Sequence, residues 1–136
     1  MQTVTDNFLS IGELSHLTGL TAHTLRFYES AGILLPIARG PNGHRRYRGE
    51  DVQWLAFVLR LKRTGMPLAE IRKYAQLRIE GDASLSTRLA MLELHRERLA
   101  AQMAELSDNA AALDGKIRTY RGLIAKAKAP AKRRIR

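Results

Sequence analysis

Hydrophobic positions along the chain follow two different rhythms. From residue 85 onward they recur at Leu85, Leu89, Leu92, Leu99, Met103, Leu106, Ala110, Leu113, Ile117, Tyr120 and Ile124, in alternating steps of four and three. One place in the series, Arg96, is taken by a charge. This is a heptad seam on a long helix. Forty helical residues span roughly 60 Å at about 1.5 Å per residue, and such a stripe on a lone helix would lie exposed. The chain has no second long helical pattern to cover it, so the expected partner is a second copy. Leu85, Leu89, Leu92, Arg96, Leu99, Met103, Leu106, Leu113, Ile117 and Tyr120 are the predicted dimerisation residues. Arg96 is read as setting register or orientation by pairing with Glu93, Glu97 or Glu105 of the other subunit.

Before residue 80 the apolar residues come in short groups separated by Gly and Pro. In FLSIGELSHLTG (8–19), Ser10 and Glu13 form a capping box, Leu9 and Leu14 a hydrophobic staple, and Gly19 a helix stop. Thr21 caps a second helix that runs to about Ser30. Two short helices joined by a glycine-containing turn predict a helix-turn-helix. Next, Ile37–Arg39 and His44–Tyr47 flank Asn42-Gly43, a two-residue hairpin signal, giving a small β-ribbon rich in arginine. A third helix is expected from about Glu50 to Thr64, with Val52, Leu55, Val58 and Leu59 on its buried side. Gly65 breaks it, and Pro67 starts a fourth helix through Leu68, Ile71 and Ala75 to about Leu77. The predicted fold is mainly α: a winged helix-turn-helix DNA-binding domain followed by a long C-terminal coiled-coil dimerisation helix. The boundaries are an N-terminal tail at 1–9, the winged domain at 10–79, the dimerisation helix at 80–124 and a flexible basic tail at 125–136.

Charge adds a partner to this picture. The 136 residues carry a net +10, which points to a polyanion. Residues 10–79 hold eleven Lys/Arg against five Asp/Glu, residues 80–124 hold six against seven, and the last twelve hold six basic residues and no acidic one. The basic winged segment and the near-neutral helix therefore have different work to do. Cysteine is absent, which removes disulfides, thiolate metal sites and thiol redox sensing. No apolar run approaches a membrane span and no secretory signal opens the chain. The expected setting is the bacterial cytoplasm, in association with the nucleoid and with no membrane partner.

The helix TAHTLRFYES (21–30) carries more polar and aromatic groups than a core needs. Leu25 belongs to the buried stripe, with one of the two aromatics beside it. The remaining face suits the major groove, where Arg grips a guanine edge and Thr or His reaches bases or phosphates. The ribbon NGHRRYR then reads as a wing whose arginines meet phosphates or the minor groove, with Tyr47 packing it onto the body. The four histidines, His16, His23, His44 and His95, lack metal-ligand spacing, so no metal is expected. No cofactor motif is present either. Paired carboxylates in a cleft, a nucleophile motif and a phosphate-cradling loop are likewise missing, and an enzyme is not expected.

Three segments in order, SIGELSHLTGLTAHTLRFYESAGILLP, NGHRRY and EDVQWLAFVLRLKRTGMPLAEIRK, resemble the N-terminal domain of MerR-type transcriptional regulators. The resemblance covers about residues 10–78, and the long helix after it resembles the family's antiparallel dimerisation helix. It implies DNA contacts from His23, Thr24 and Arg26, paired aromatics at Phe27 and Tyr28, a wing arginine at Arg45, and a backbone contact from Lys62. With Thr21 and Arg46 these complete the predicted DNA-binding set. Three places depart from the family pattern. Phe27 stands where Tyr is usual, His44 replaces an aromatic, and Arg48 sits where Ser or Thr often caps the third helix.

The resemblance further implies a homodimer on a pseudo-palindromic promoter spacer, which it bends and untwists to bring two promoter elements into register for RNA polymerase. The effector remains open: either a small molecule fits between the helices near residues 77–92, or there is none. Two rival readings are a DNA architectural or excisionase-like accessory protein, against which the long heptad helix counts, and a coiled-coil adaptor with a merely stabilising basic surface.

Overall fold

Residue Ser10 opens the first helix as the capping box requires. Its Oγ accepts from the Glu13 N–H at 3.1 Å, and Glu13 Oε1 accepts from the Ser10 N–H at 3.0 Å. The Ser10 backbone N–H, and after it the Ser10 hydroxyl, hold the Glu13 carboxyl below its ordinary range. The resulting helix α1 (Ile11–Thr18) ends at Gly19, whose φ of +75° lets its N–H turn back to the Ser15 carbonyl, a conformation that a Cβ would strain. The computed structural model describes residues 8–35, 38–39 and 45–129, with the backbone alone at 38, 39 and 45.

Helix α2 (Ala22–Ser30) follows, capped by Thr21, then strands β1 (Ala38–Arg39) and β2 (Arg45–Arg46). The strands pair antiparallel, Ala38 with Arg46 and Arg39 with Arg45. The predicted Asn42-Gly43 turn lies outside the described residues. Just beyond β2, Tyr47 bridges Leu9 through two backbone bonds of 2.7 and 2.8 Å. The end of the predicted tail is thereby fastened to the root of the ribbon.

Helices α3 (Gly49–Arg63) and α4 (Leu68–Ile79) meet across a glycine turn at Gly65. The cap of α3 resolves the departure at Arg48. A guanidinium has no acceptor, so Arg48 caps through its backbone alone: its N–H donates to Asp51 Oδ2 at 2.9 Å and its carbonyl accepts from the Asp51 N–H at 3.0 Å. Only the reciprocal half of a capping box is made. Buried in α3 are Asp51, Trp54, Leu55, Val58 and Leu61. Val52 and Leu59, expected inside, are only partly covered. The inward stripe is therefore rotated toward Trp54, whose indole Nε1 donates to the Ile33 carbonyl at 2.8 Å.

After α4, a 3-10 turn at Gly81–Ser84 leads into α5 (Leu85–Lys128). Arg88 fastens this junction, donating to the Gly81 carbonyl and the Ser84 hydroxyl, each at 2.9 Å. The first compact unit extends through His95. Its core joins Leu14, Leu25, Leu34, Tyr47, Leu55 and Ile71, all fully buried, and Met91 and Leu92 of α5 pack against it. Buried His95 completes the seal, its Nε2 lying 2.7 Å from Thr64 Oγ1 at the end of α3. The first three turns of α5, Leu85–His95, beyond the predicted boundary at residue 80, thus belong to the N-terminal unit. From Arg96 onward the second unit consists of the remainder of α5. Lys126 and Lys128 continue the helix where a flexible tail was expected from residue 125. Alanine favours helix, and cations suit the negative end of its dipole.

Burial raises the Asp51 carboxyl above its ordinary value, opposed by the Arg48 N–H and by Arg78. A group that binds its proton more readily when folded stabilises the fold increasingly as pH falls through its raised value. Relative to Asp51→Asn, which keeps an acceptor for the Arg48 N–H, the wild-type chain should gain thermal stability between pH 7 and about pH 4. Paired melting curves check this, and a relative loss on acidification would mean that the hydrogen bond outweighs burial.

Candidate nucleic-acid interface

Helix α2 sorts its side chains sharply. Leu25 is fully buried and Tyr28 is 2% exposed, whereas His23 and Arg26 face solvent and Phe27 is 48% exposed. The aromatic that joins Leu25 inside is therefore Tyr28, and its neighbour Phe27 stays outside with ring centroids 6.0 Å apart. At the N-terminus Thr21 Oγ1 accepts from the Thr24 N–H at 3.1 Å and lies 3.0 Å from Thr24 Oγ1. This cap satisfies a backbone donor and holds the two threonine side chains together at the start of α2.

Three contacts hold this helix in place. Tyr47 Oη donates to Glu29 Oε2 at 2.7 Å, tying the last turn of α2 to the root of the ribbon. Arg72 of α4 donates from Nε to the Ala31 carbonyl at 3.0 Å, and Trp54 grips Ile33 in the segment that follows. Glu29 and Arg72, missed in the sequence, are positioning groups. No local signal could have found them, because their partners stand 18 and 41 residues away.

Lys62, near the end of α3, comes to the same face. It lines a concavity of about 410 Å³ together with His23, Thr24, Phe27 and Tyr28 of α2 and Met66, Leu68 and Ile71 from the α3–α4 turn and α4. Five of the nine predicted DNA-binding residues therefore share one surface. Arg26 and Thr21 are exposed elsewhere on the helix and its cap. Tyr28 differs from the rest of the set: its side chain forms part of the floor, and its hydroxyl is sealed from water without a hydrogen-bond partner. A buried orphan hydroxyl destabilises by about 1–3 kcal/mol. Arg46 places its guanidinium 5.5 Å from the Phe8 ring centroid, a cation–π contact. The Arg45 side chain lies outside the described residues.

The predicted seam lies on one long element. Leu85, Leu89, Met103, Leu106, Leu113, Ile117 and Tyr120 are all exposed along α5, Leu106 by 68% and Leu113 by 65%. Arg96 is exposed among them and Leu99 is partly covered. No helix among the described residues is long and apolar enough to cross a membrane, and no cluster of His, Asp or Glu among them is arranged to hold a metal ion.

Comparison with known proteins agrees with this geometry. Residues 9–77 match the model of the MerR HTH family regulatory proteins, and residues 52–116 match the model described as MerR, DNA binding. An "Uncharacterized HTH-type transcriptional regulator" of Haemophilus influenzae is 38% identical over 102 residues, 75% of this chain and 76% of that protein. Among solved structures, HiNmlR is described as a MerR family regulator lacking the sensor domain, bound to promoter DNA. It is 33% identical with a TM-score of 0.75, over 87% of this chain and 94% of its own. A MerR family transcriptional regulator from Listeria monocytogenes is 31% identical with a TM-score of 0.81, over 88% and 91% of the two chains. Fold and site together define a helix-turn-helix regulatory protein with a long C-terminal helix. The chain belongs to the MerR family of transcriptional regulators.

Proposed function

We propose that two copies pair through the α5 seam and bind a pseudo-palindromic promoter spacer, placing the exposed face of α2 in successive major grooves. The observation that carries this reading is the clustering of His23, Thr24, Phe27 and Lys62 on one surface, with Arg26 exposed on the same helix. The likeness to a regulator solved on promoter DNA supports it. On this reading Arg26 reads a base edge, Thr21 and Thr24 present hydroxyls to phosphates, and Lys62 and the ribbon arginines Arg45 and Arg46 neutralise the backbone on either flank. Contacts on both flanks offset the deformation of the intervening duplex, of order 1–6 kcal/mol, and the distorted spacer presents its promoter elements to RNA polymerase.

Arg26→Ala tests the assignment. Loss of a bidentate base contact removes about 1–3 kcal/mol, so operator affinity should fall roughly 10- to 100-fold. No hydrogen bond within the described residues is sacrificed. Anisotropy titrations of operator and scrambled duplexes would show the gap between the two narrowing. A uniform loss on both duplexes would reassign Arg26 to the phosphate backbone.

A further inference from the structure

Phe27 is an apolar group in polar company. Its ring is half-exposed, while Leu25 and Tyr28 fill the buried stripe of α2. On the surface it shares with His23, Thr24 and Lys62, a phosphate chain rewards donors and cations, and a phenyl ring is neither. His23 stands four residues earlier on the same face of the helix. An aromatic side chain on a helix leans back toward the helix N-terminus, so the Phe27 ring lies over the turn that carries His23. That end of a recognition helix is the one whose side chains meet base edges. On the major-groove edge of B-DNA the apolar group is the C5-methyl of thymine, and the hydrogen-bonding groups beside it have nothing to gain from a ring.

We propose that Phe27 is a specificity-determining residue that reads thymine through this methyl, at one T·A pair in each half-site. The inference rests on the DNA-binding reading above and adds a base preference to it. Arg26, the next residue, supplies a hydrogen-bonded base contact, and Phe27 supplies an apolar one. Packing the methyl against the ring takes both out of water, and burial of one such carbon raises affinity about fourfold. An amino or carbonyl group brought to the same place would lose water without gaining a partner. The contact thus favours thymine and also penalises the alternatives.

The test uses the full chain and a duplex that it selects from a random-sequence pool, with each thymine replaced in turn by deoxyuridine. Deoxyuridine deletes the methyl and leaves the hydrogen-bonding edge as it was. At one position of a half-site the replacement should weaken wild-type binding about fourfold in anisotropy titrations. Phe27→Ala, which removes both rings of a dimer, should bind the unmodified duplex about 10- to 20-fold more weakly and be indifferent to that same replacement. Phe27→Tyr keeps the ring and should keep the sensitivity. The side chain is half-exposed, so both variants are expected to fold, which circular dichroism checks. Indifference of the wild type to every replacement overturns the inference and assigns the ring to the sugar. Equal sensitivity in the wild type and Phe27→Ala overturns it too, because the methyl would then act without the ring. A chain that selects no duplex removes the DNA-binding reading itself, and this inference with it.

Discussion

A chain carrying Leu106→Glu and Leu113→Glu is expected to sediment as a monomer and to bind a two-half-site operator about 10²- to 10⁴-fold more weakly than the wild type. Both leucines are among the most exposed large apolar side chains of α5, so neither substitution removes a contact within the protomer. Glutamate is a good helix former, which leaves the local backbone preference intact. What changes is the association. Each leucine buried in a dimer contributes about 1.5–3 kcal/mol, and each position occurs twice. A carboxylate in the same seam must either stay ionised without a partner or take up a proton, and both are unfavourable. Once the second head is no longer tethered, each half-site binds alone and the gain from linkage disappears. Emission from Trp54, which lies in the first compact unit, should be unchanged and reports that the DNA-reading part remains folded. A variant that still sediments as a dimer would show that the seam of α5 is not the contact.

The elements most legible in the sequence were those whose ends are set by local chemistry. Ser10 with Glu13, Gly19, Thr21 and Pro67 each act on backbone groups a few residues away, and the helices begin and end where these residues dictate. The long helix was equally plain, because a heptad repeat carries its own signal over many turns. Burial was less legible. The side of α3 that faces inward was misjudged by part of a turn, since Trp54 and Leu61 are drawn in by partners on other elements while Val52 and Leu59 are left at the margin. Tyr28 shows the same limit at the site. Its sequence neighbourhood is that of an exposed aromatic pair, but the i, i+3 spacing from Leu25 puts it on the buried stripe of a helix. The concavity itself was illegible, being assembled from α2, α3 and α4 by packing alone. Where residues 80–95 belong was likewise decided by tertiary contact, through Met91, Leu92 and His95.

Trp54→Ala should be the most damaging single substitution in the DNA-reading unit, lowering its stability by about 3–5 kcal/mol. The indole is the hub of an aromatic group. It stacks on Tyr74 of α4 with centroids 6.0 Å apart and planes 11° from parallel, and lies 6.4 Å from Phe57. Arg78 covers its ring with Cζ 4.3 Å from the centroid, an arrangement in which cation and ring attract. Truncation to alanine opens a cavity between α3 and α4, releases Arg78, and leaves the Ile33 carbonyl without its donor. That last loss matters for function, because Ile33 lies directly behind α2 and its own N–H donates to the Tyr28 carbonyl at 2.8 Å. Loosening this segment loosens the end of α2, the helix proposed to meet DNA. Trp54→Phe separates the two contributions: it keeps most of the ring packing and deletes only the N–H, so its effect should be about 1–3 kcal/mol. Thermal melts followed by circular dichroism would rank wild type, Phe and Ala in that order. If Phe proves as damaging as Ala, the Ile33 hydrogen bond rather than the stack on Tyr74 is what holds α2 in register with the core.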